Sequence, residues 1–204
     1  MSKIVVFGAG GRAGRRIVTH ALARGHEVTA VVRDPGRHPA LTTERGDVTD
    51  PDDVATLSAG HDVAVNAAAR LDMSSTGFYT AATRTLIAGL ATPRLIAIGI
   101  GTVLADASGT PLYEAPDFPA GAREFTLGHV AELELLKASA LDWVVLAPPP
   151  TTLDPDAPGM GRYRFGDTHA LPAAPFSYAD LAAAVVEEIE QSHHHRALVA
   201  VGPA

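Results

Sequence analysis

The chain contains no cysteine, which removes disulfide scaffolds, cysteine-ligated zinc, iron–sulfur clusters and thiol catalysis in one step. That absence fits a reducing cytoplasm, the location we expect. Lysine is almost as scarce, with Lys3 and Lys137 set against fourteen arginines. No apolar run approaches the ~20 residues that span a bilayer, and the N-terminus lacks the basic start and cleavage site of a secretory signal. No membrane partner is therefore expected. Clustered positive charge is missing too: a net charge of −7 argues against a bulk nucleic-acid binder, while leaving a small phosphate open as a ligand. Neither a Gly-x-Ser-x-Gly elbow nor a His-Glu-x-x-His pattern occurs, which weakens hydrolase readings.

What is present is the composition of one compact domain. The 204 residues are 47% hydrophobic and 19% charged, enough to bury a core without a disulfide or structural metal. Ile4 to Phe7 is a short apolar run rich in β-branched residues and closed by glycine, which predicts a buried parallel strand. A helix follows from Arg12 to Arg24, with apolar Ile17, Val18, Ala21 and Leu22 at helical spacing and Gly25 placed to end it. Val28 to Val32 is a second strand.

The alternation continues with a weak strand at Glu44 to Val48, a helix at Pro51 to Leu57, and a strand at Asp62 to Ala68. Next come a helix at Thr76 to Leu90, a strand at Leu95 to Ile98, a helix at Glu124 to Ser139 and a strand at Trp143 to Leu146. A short strand at Arg162 to Phe165 precedes a capped helix from Ser177 to Glu190 and a last strand at Ala197 to Val201. Strands alternating with helices predict an α/β fold, a doubly wound parallel sheet of the Rossmann type, as a single domain over residues 1–204. The stretches near 102–122 and 148–176 read as substrate-side loops.

Gly8, Gly10, Gly11 and Gly14 sit between the first strand and the first helix, the context that makes a glycine pattern informative. A side chain at Gly8 would block the tight turn, one at Gly10 or Gly11 would hold the backbone off a pyrophosphate, and one at Gly14 would push the helix off the sheet. With Arg12 and Ala13 they open a helix whose free N–H groups suit phosphate. NAD enzymes usually carry an acidic residue at the end of the second strand, but this strand ends in Arg33. Arg33 and Arg12 suit a 2′-phosphate, which favours NADP, with NAD kept open by Asp34. Asp47 and Val48 at the end of the third strand, and Asn66 and Ala67 at the end of the fourth, read either as cofactor contacts or as turn residues.

These segments resemble the atypical short-chain dehydrogenase/reductases, specifically the small NAD(P)H-binding branch that includes NmrA-like proteins and flavin and biliverdin-IXβ reductases. The resemblance rests on Gly8-Ala9-Gly10-Gly11-Arg12-Ala13-Gly14, Arg33-Asp34-Pro35, Gly46-Asp47-Val48, Ile98-Gly99-Ile100-Gly101-Thr102, Ala115 to Pro119, Glu134 to Trp143, Gly161-Arg162-Tyr163 and Tyr178 to Ala182. It implies NADP(H) binding and a small-molecule electron acceptor such as a flavin, quinone or enone-like carbonyl. It also offers a second reading, a non-catalytic NADP(H) sensor of the NmrA-like type. Monomer and homodimer both stay open. The chain departs from the wider superfamily in that none of Tyr79, Tyr113, Tyr163 and Tyr178 has a lysine four residues on, which excludes tyrosine–lysine catalysis. Ala147 stands where related chains often have arginine, ahead of Pro148, which we place beside the nicotinamide.

Candidate catalytic residues are therefore Thr102, where the superfamily keeps a hydroxyl facing the substrate, and His129, expected early in its helix, histidine being the side-chain type most often used as a general acid. Tyr113 and Phe118 are candidates to stack on a flat acceptor. His193, His194 and His195 precede a strand, and three consecutive residues cannot all face one ion, so no metal is assigned.

Overall fold

The computed structural model describes residues 1–151 and 153–204. Eight strands and five helices alternate along the chain as β1 Lys3–Phe7, α1 Arg12–Ala23, β2 Glu27–Val32, β3 Glu44–Arg45, α2 Pro51–Ser58, β4 Val63–Asn66 and α3 Ser75–Gly89. They continue as β5 Arg94–Ile98, α4 Ala120–Ala138, β6 Asp142–Ala147, β7 Tyr163–Phe165, α5 Tyr178–Gln191 and β8 Ala197–Pro203. One sheet holds every strand in the order β3-β2-β1-β4-β5-β6-β8-β7. All pairings are parallel except the last, in which β7 runs against β8. The expected doubly wound α/β sheet is the one that forms.

The period-2 alternation of each strand assigns its side chains to two separate cores. Ile4 and Val6 of β1 face the layer of α1 and α5, packing with Ile17, Val18, Leu181 and Val185. Val5 and Phe7 face the opposite layer, packing with Val54 of α2, Phe78 and Leu86 of α3 and Leu136 of α4. Because both faces are covered, the strands need continuous apolar runs, which is why they are easy to find. Strand order reverses between β1 and β4, and at such a switch point the loops leaving the carboxyl ends part in opposite directions and open a crevice. Among the described residues no helix is long and apolar enough to cross a membrane.

Two expected boundaries shift for local reasons. The third strand stops at Arg45 rather than Val48, because Asp47 turns the chain: its Oδ1 accepts from the N–H and the hydroxyl of Thr49 at 2.9 and 2.8 Å. Helix α4 starts at Ala120, four residues before the expected Glu124, with Pro119 as its cap residue.

At the amino edge of the sheet the three consecutive histidines find their partners, His193 placing Nε2 3.4 Å from Glu187 of α5. Arg94 opens β5 at 7% exposure and meets Glu188 of α5, fully buried, with Nη2 donating to Oε1 at 2.5 Å. Its Nη1 donates to Asp142 at 2.6 Å, and Nη2 also donates to the carbonyl of His194 at 2.7 Å. His194 in turn donates its N–H to Glu188 at 3.0 Å and places Nδ1 2.7 Å from the same carboxylate, while His195 Nδ1 lies 3.0 Å from Asp142. Burial pushes the Asp142 carboxyl upward, but the hydrogen bonds from His195 and Arg94 outweigh it and hold the group below its ordinary range. A buried pair that loses one charge leaves the other uncompensated, so Glu188→Gln is expected to lower stability by about 3 kcal/mol. Urea denaturation checks this, and a loss under ~1 kcal/mol, the scale of an exposed pair, would show that Asp142 alone satisfies Arg94.

Candidate functional site

The crevice at the switch point is walled by the loop after β1 and the loop after β4. Gly8 leaves β1 with φ +77°, a left-handed conformation that glycine adopts without strain. A Cβ there would sit 2.5 Å from the Ala68 nitrogen, so the two walls touch backbone to backbone. The N–H groups of Gly8 and Ala9 both donate to the carbonyl of Val31 at 3.1 Å, and the N–H of Gly11 returns to the carbonyl of Gly8 at 3.0 Å. Gly11 is the N-cap residue of α1, and no side chain caps the helix there. Gly14 is buried, and a Cβ on it would run into the Gly8 carbonyl oxygen and lie 2.8 Å from Ala9 Cα. The turn is thus tightly closed beneath and open above, a cradle of uncapped N–H groups at the positive end of a helix. The residues present fit a pyrophosphate.

Arg12 and Arg33 stand exposed beside this cradle. Asp34 does not turn inward: its Oδ1 accepts from the Gly36 N–H at 3.1 Å, capping the short 3₁₀ turn Pro35–Arg37. Across the crevice, buried Asn66 closes β4 and accepts from the Ala68 N–H at 3.2 Å, with Ala67 half-buried beside it. Val48 is buried. Asp47 is half-buried with Oδ1 engaged by Thr49. Arg33, Gly8 to Gly14, Asn66 and Ala67 therefore stand at the carboxyl ends of the adjacent strands β2, β1 and β4, while Asn66 and Asp47 perform turn work.

The loops after β5 and β6 form the other end. Gly101 approaches Pro148–Pro150 so closely that its Cβ would lie 2.6 Å from the Pro150 nitrogen; Thr102 next to it is half-buried, and Pro148 is buried. The Thr102 hydroxyl lies 2.8 Å from that of Thr126 on α4. Thr126 donates its single proton to the Ala122 carbonyl at 2.8 Å. With that proton on the Ala122 carbonyl, Thr102 is the donor in the pair, and its oxygen lone pairs rather than its proton are left for a ligand.

His129 departs from expectation. Because α4 begins early, this residue lies well inside the helix at 2% exposure. Its Nδ1 is 2.9 Å from Glu132 Oε2, and its ring centroid is 3.9 Å from that of Tyr79 on α3. The imidazole is enclosed between α3 and α4, where Gly128 packs against Ser75. Burial pushes the Tyr79 hydroxyl above its ordinary range. Tyr113 and Phe118 are half-buried on the segment between β5 and α4. Both are occupied, Tyr113 donating to Glu114 at 3.1 Å and Phe118 lying 5.5 Å beneath the guanidinium of Arg123.

Arg123, which sequence reasoning missed, holds that loop. It donates to the carbonyls of Tyr113, Ala115 and Phe118, so a single guanidinium gathers residues 113–118 onto the first turn of α4. The signal was faint: an arginine just inside a helix that follows a proline-rich loop.

The geometry of the turn generates a prediction that separates folding from binding. A Cβ at Gly11 meets only the Gly8 carbonyl at 3.3 Å and the Ala67 carbonyl at 3.9 Å. Gly11→Val is therefore expected to fold with a melting temperature near that of the parent while losing affinity for NADPH and NADH alike, because its branches occupy the open side of the cradle. Calorimetric titration of the folded variant checks this, and parent-like affinity would remove the phosphates from this turn.

Comparison with known proteins agrees with the crevice. The chain matches the NAD(P)H-binding family over residues 8–192. It is 32% identical over 210 aligned positions to the uncharacterized protein YwnB of Bacillus subtilis (strain 168), covering 94% of each chain. A crystal structure from Streptococcus pneumoniae TIGR4, provisionally named an NADH-flavin reductase, superposes with a TM-score of 0.86 at 27% identity and complete coverage of both chains. One from Bacteroides thetaiotaomicron, provisionally named an epimerase, also gives 0.86 at 27% identity, over 98% of this chain and 96% of that one. By its motif, its fold and its match over most of its length, this chain belongs to the NAD(P)H-binding family.

Proposed function

We propose that the protein is an NADP(H)-dependent oxidoreductase that passes hydride to a small conjugated acceptor, a flavin, a quinone or an enone-like carbonyl. The observation that carries this reading is the phosphate cradle of Gly8 to Gly14, flanked by exposed Arg12 and Arg33, at one end of a crevice whose other end is roofed by two loops. When bound, the reduced nicotinamide supplies the hydride, so the protein's tasks are binding, orientation and water exclusion. Gly8, Gly10, Gly11, Arg12, Ala13 and Gly14 hold the phosphates. Asn66, Ala67 and Val48 line the crevice, and Pro148 walls its far end.

Preference for NADP follows from Arg33 and from the capping work of Asp34, whose carboxylate is spent on its own turn rather than offered to a ribose hydroxyl. Thr102 positions the reacting partners as a hydrogen-bond acceptor, toward an N–H of the acceptor molecule or of a carboxamide. With His129 buried, the proton that follows the hydride comes from water. This suits an acceptor that protonates readily once reduced and disfavours a simple ketone. The burial of His129 also favours the second reading, an NADP(H) sensor without turnover.

Oxidation of NADPH followed by absorbance against a panel of flavins, quinones and aldehydes decides between them. Turnover with a conjugated acceptor supports the enzyme, whereas tight NADPH binding with no turnover on any acceptor supports the sensor. A hydrogen bond to a charged group is worth about 1.5–3 kcal/mol, so Arg33→Ala should weaken NADPH about ten- to more than a hundredfold and leave NADH nearly unchanged in calorimetry. Loss of one neutral hydrogen bond corresponds to about a tenfold change at most, so Thr102→Val should lower turnover within that limit. His129→Ala should lower the melting temperature without the hundredfold fall in turnover that loss of a general acid brings.

A further inference from the structure

Gly10 lacks a side chain, and the space beside it is filled by His38. The three atoms nearest to a Cβ built at Gly10 all belong to the His38 imidazole, Nε2 and Cε1 first and then Cδ2 at 2.8 Å. The ring therefore rests its Nε2 edge on the glycine turn, at the mouth of α1. Its position is fixed by the backbone that carries it. Asp34 caps the turn Pro35–Arg37, the His38 N–H donates to the Pro35 carbonyl at 3.0 Å, and the Leu41 N–H donates to the His38 carbonyl at 3.0 Å. Leu41 itself packs against the core. His38 is half-buried while Arg37 and Pro39 on either side are exposed, so the segment turns this one ring inward.

An imidazole N–H forms a charge-assisted hydrogen bond with a phosphate oxygen, and here it stands beside the uncapped N–H groups of a helix start and near exposed Arg12 and Arg33. Resting on the reading of this turn as a dinucleotide cradle, we infer that His38 is a third phosphate ligand at the adenosine end of the bound cofactor, acting through Nε2. Gly10 then has a second duty. It keeps open the seat that the imidazole occupies, and any side chain there displaces the ring.

The test is calorimetric titration of the parent protein, His38→Ala, Gly10→Ala and the double variant with NADPH, NADH, adenosine 2′,5′-bisphosphate and ADP. Loss of one hydrogen bond to a charged acceptor predicts about a tenfold or greater weakening in His38→Ala. Gly10→Ala should weaken binding at least as much, because its methyl both displaces the ring and crowds the pyrophosphate, and the double variant should be no weaker than Gly10→Ala alone, because the His38 contact is already lost there. Weakening confined to NADPH and adenosine 2′,5′-bisphosphate assigns the ring to the 2′-phosphate, and weakening of all four assigns it to the pyrophosphate; both support the inference. Unchanged or tighter binding by His38→Ala overturns it, as does full additivity in the double variant. Equal affinity of the parent for NADPH and NADH would instead count against the NADP preference, with the His38 comparison still decided by its own ratio. A folded parent that binds none of the four overturns both.

Discussion

The carboxyl edge depends on how closely two loops can approach where the sheet changes direction. Gly8 lies against the backbone of Ala68, and Gly14 lies against the carbonyl of Gly8. With no side chain between them, the helix start is brought down onto the strand ends, and its N–H groups come to face the crevice rather than solvent at large. One methyl group at either position would separate the layers, and the remaining contacts of the site would then fall out of reach of a single ligand. A helix terminus attracts anions only within about its first turn, so placement to within an ångström or so sets what the crevice can hold.

The two edges of the sheet divide the labour of the molecule. At the amino edge, the buried Arg94–Glu188 pair and the more exposed contacts of Asp142, His194 and His195 tie β5, β6, α5 and the turn into β8 together. Their hydrogen-bonding capacity is almost wholly used, although the buried Nε of Arg94 has no partner. At the carboxyl edge the arrangement is reversed: backbone N–H groups and the guanidiniums of Arg12 and Arg33 are left facing outward. A saturated edge gives rigidity, and an unsaturated edge gives a binding site.

Most of the fold was legible because a sheet covered on both faces needs apolar strands whose ends are marked by glycine, proline and capping residues. The runs Ile4 to Phe7 and Trp143 to Leu146 carry that signal by themselves. Ser177 likewise caps α5 as its spacing to Asp180 suggested, accepting from the Asp180 N–H at 2.9 Å. The cradle was legible for the same reason, since the constraint on Gly8 to Gly14 is local. The burial of His129 was not legible, because a residue type and a position along the chain do not reveal which face of a helix packs against its neighbour. The clamp of Arg123, the seat of His38 and the partners of the three histidines were hidden because each joins segments that only the tertiary fold brings together.

Ala105 joins the two roofing loops. Its N–H donates to the carbonyl of Thr168 at 2.9 Å, and its carbonyl accepts from Ala170 at 2.8 Å, a strand-like stitch between the segment after β5 and the segment before α5. Below it, Gly101 is pressed against Pro148–Pro150. The two segments are therefore tied into one panel, so that a substitution which loosens one is transmitted to the other through the bonds of Ala105.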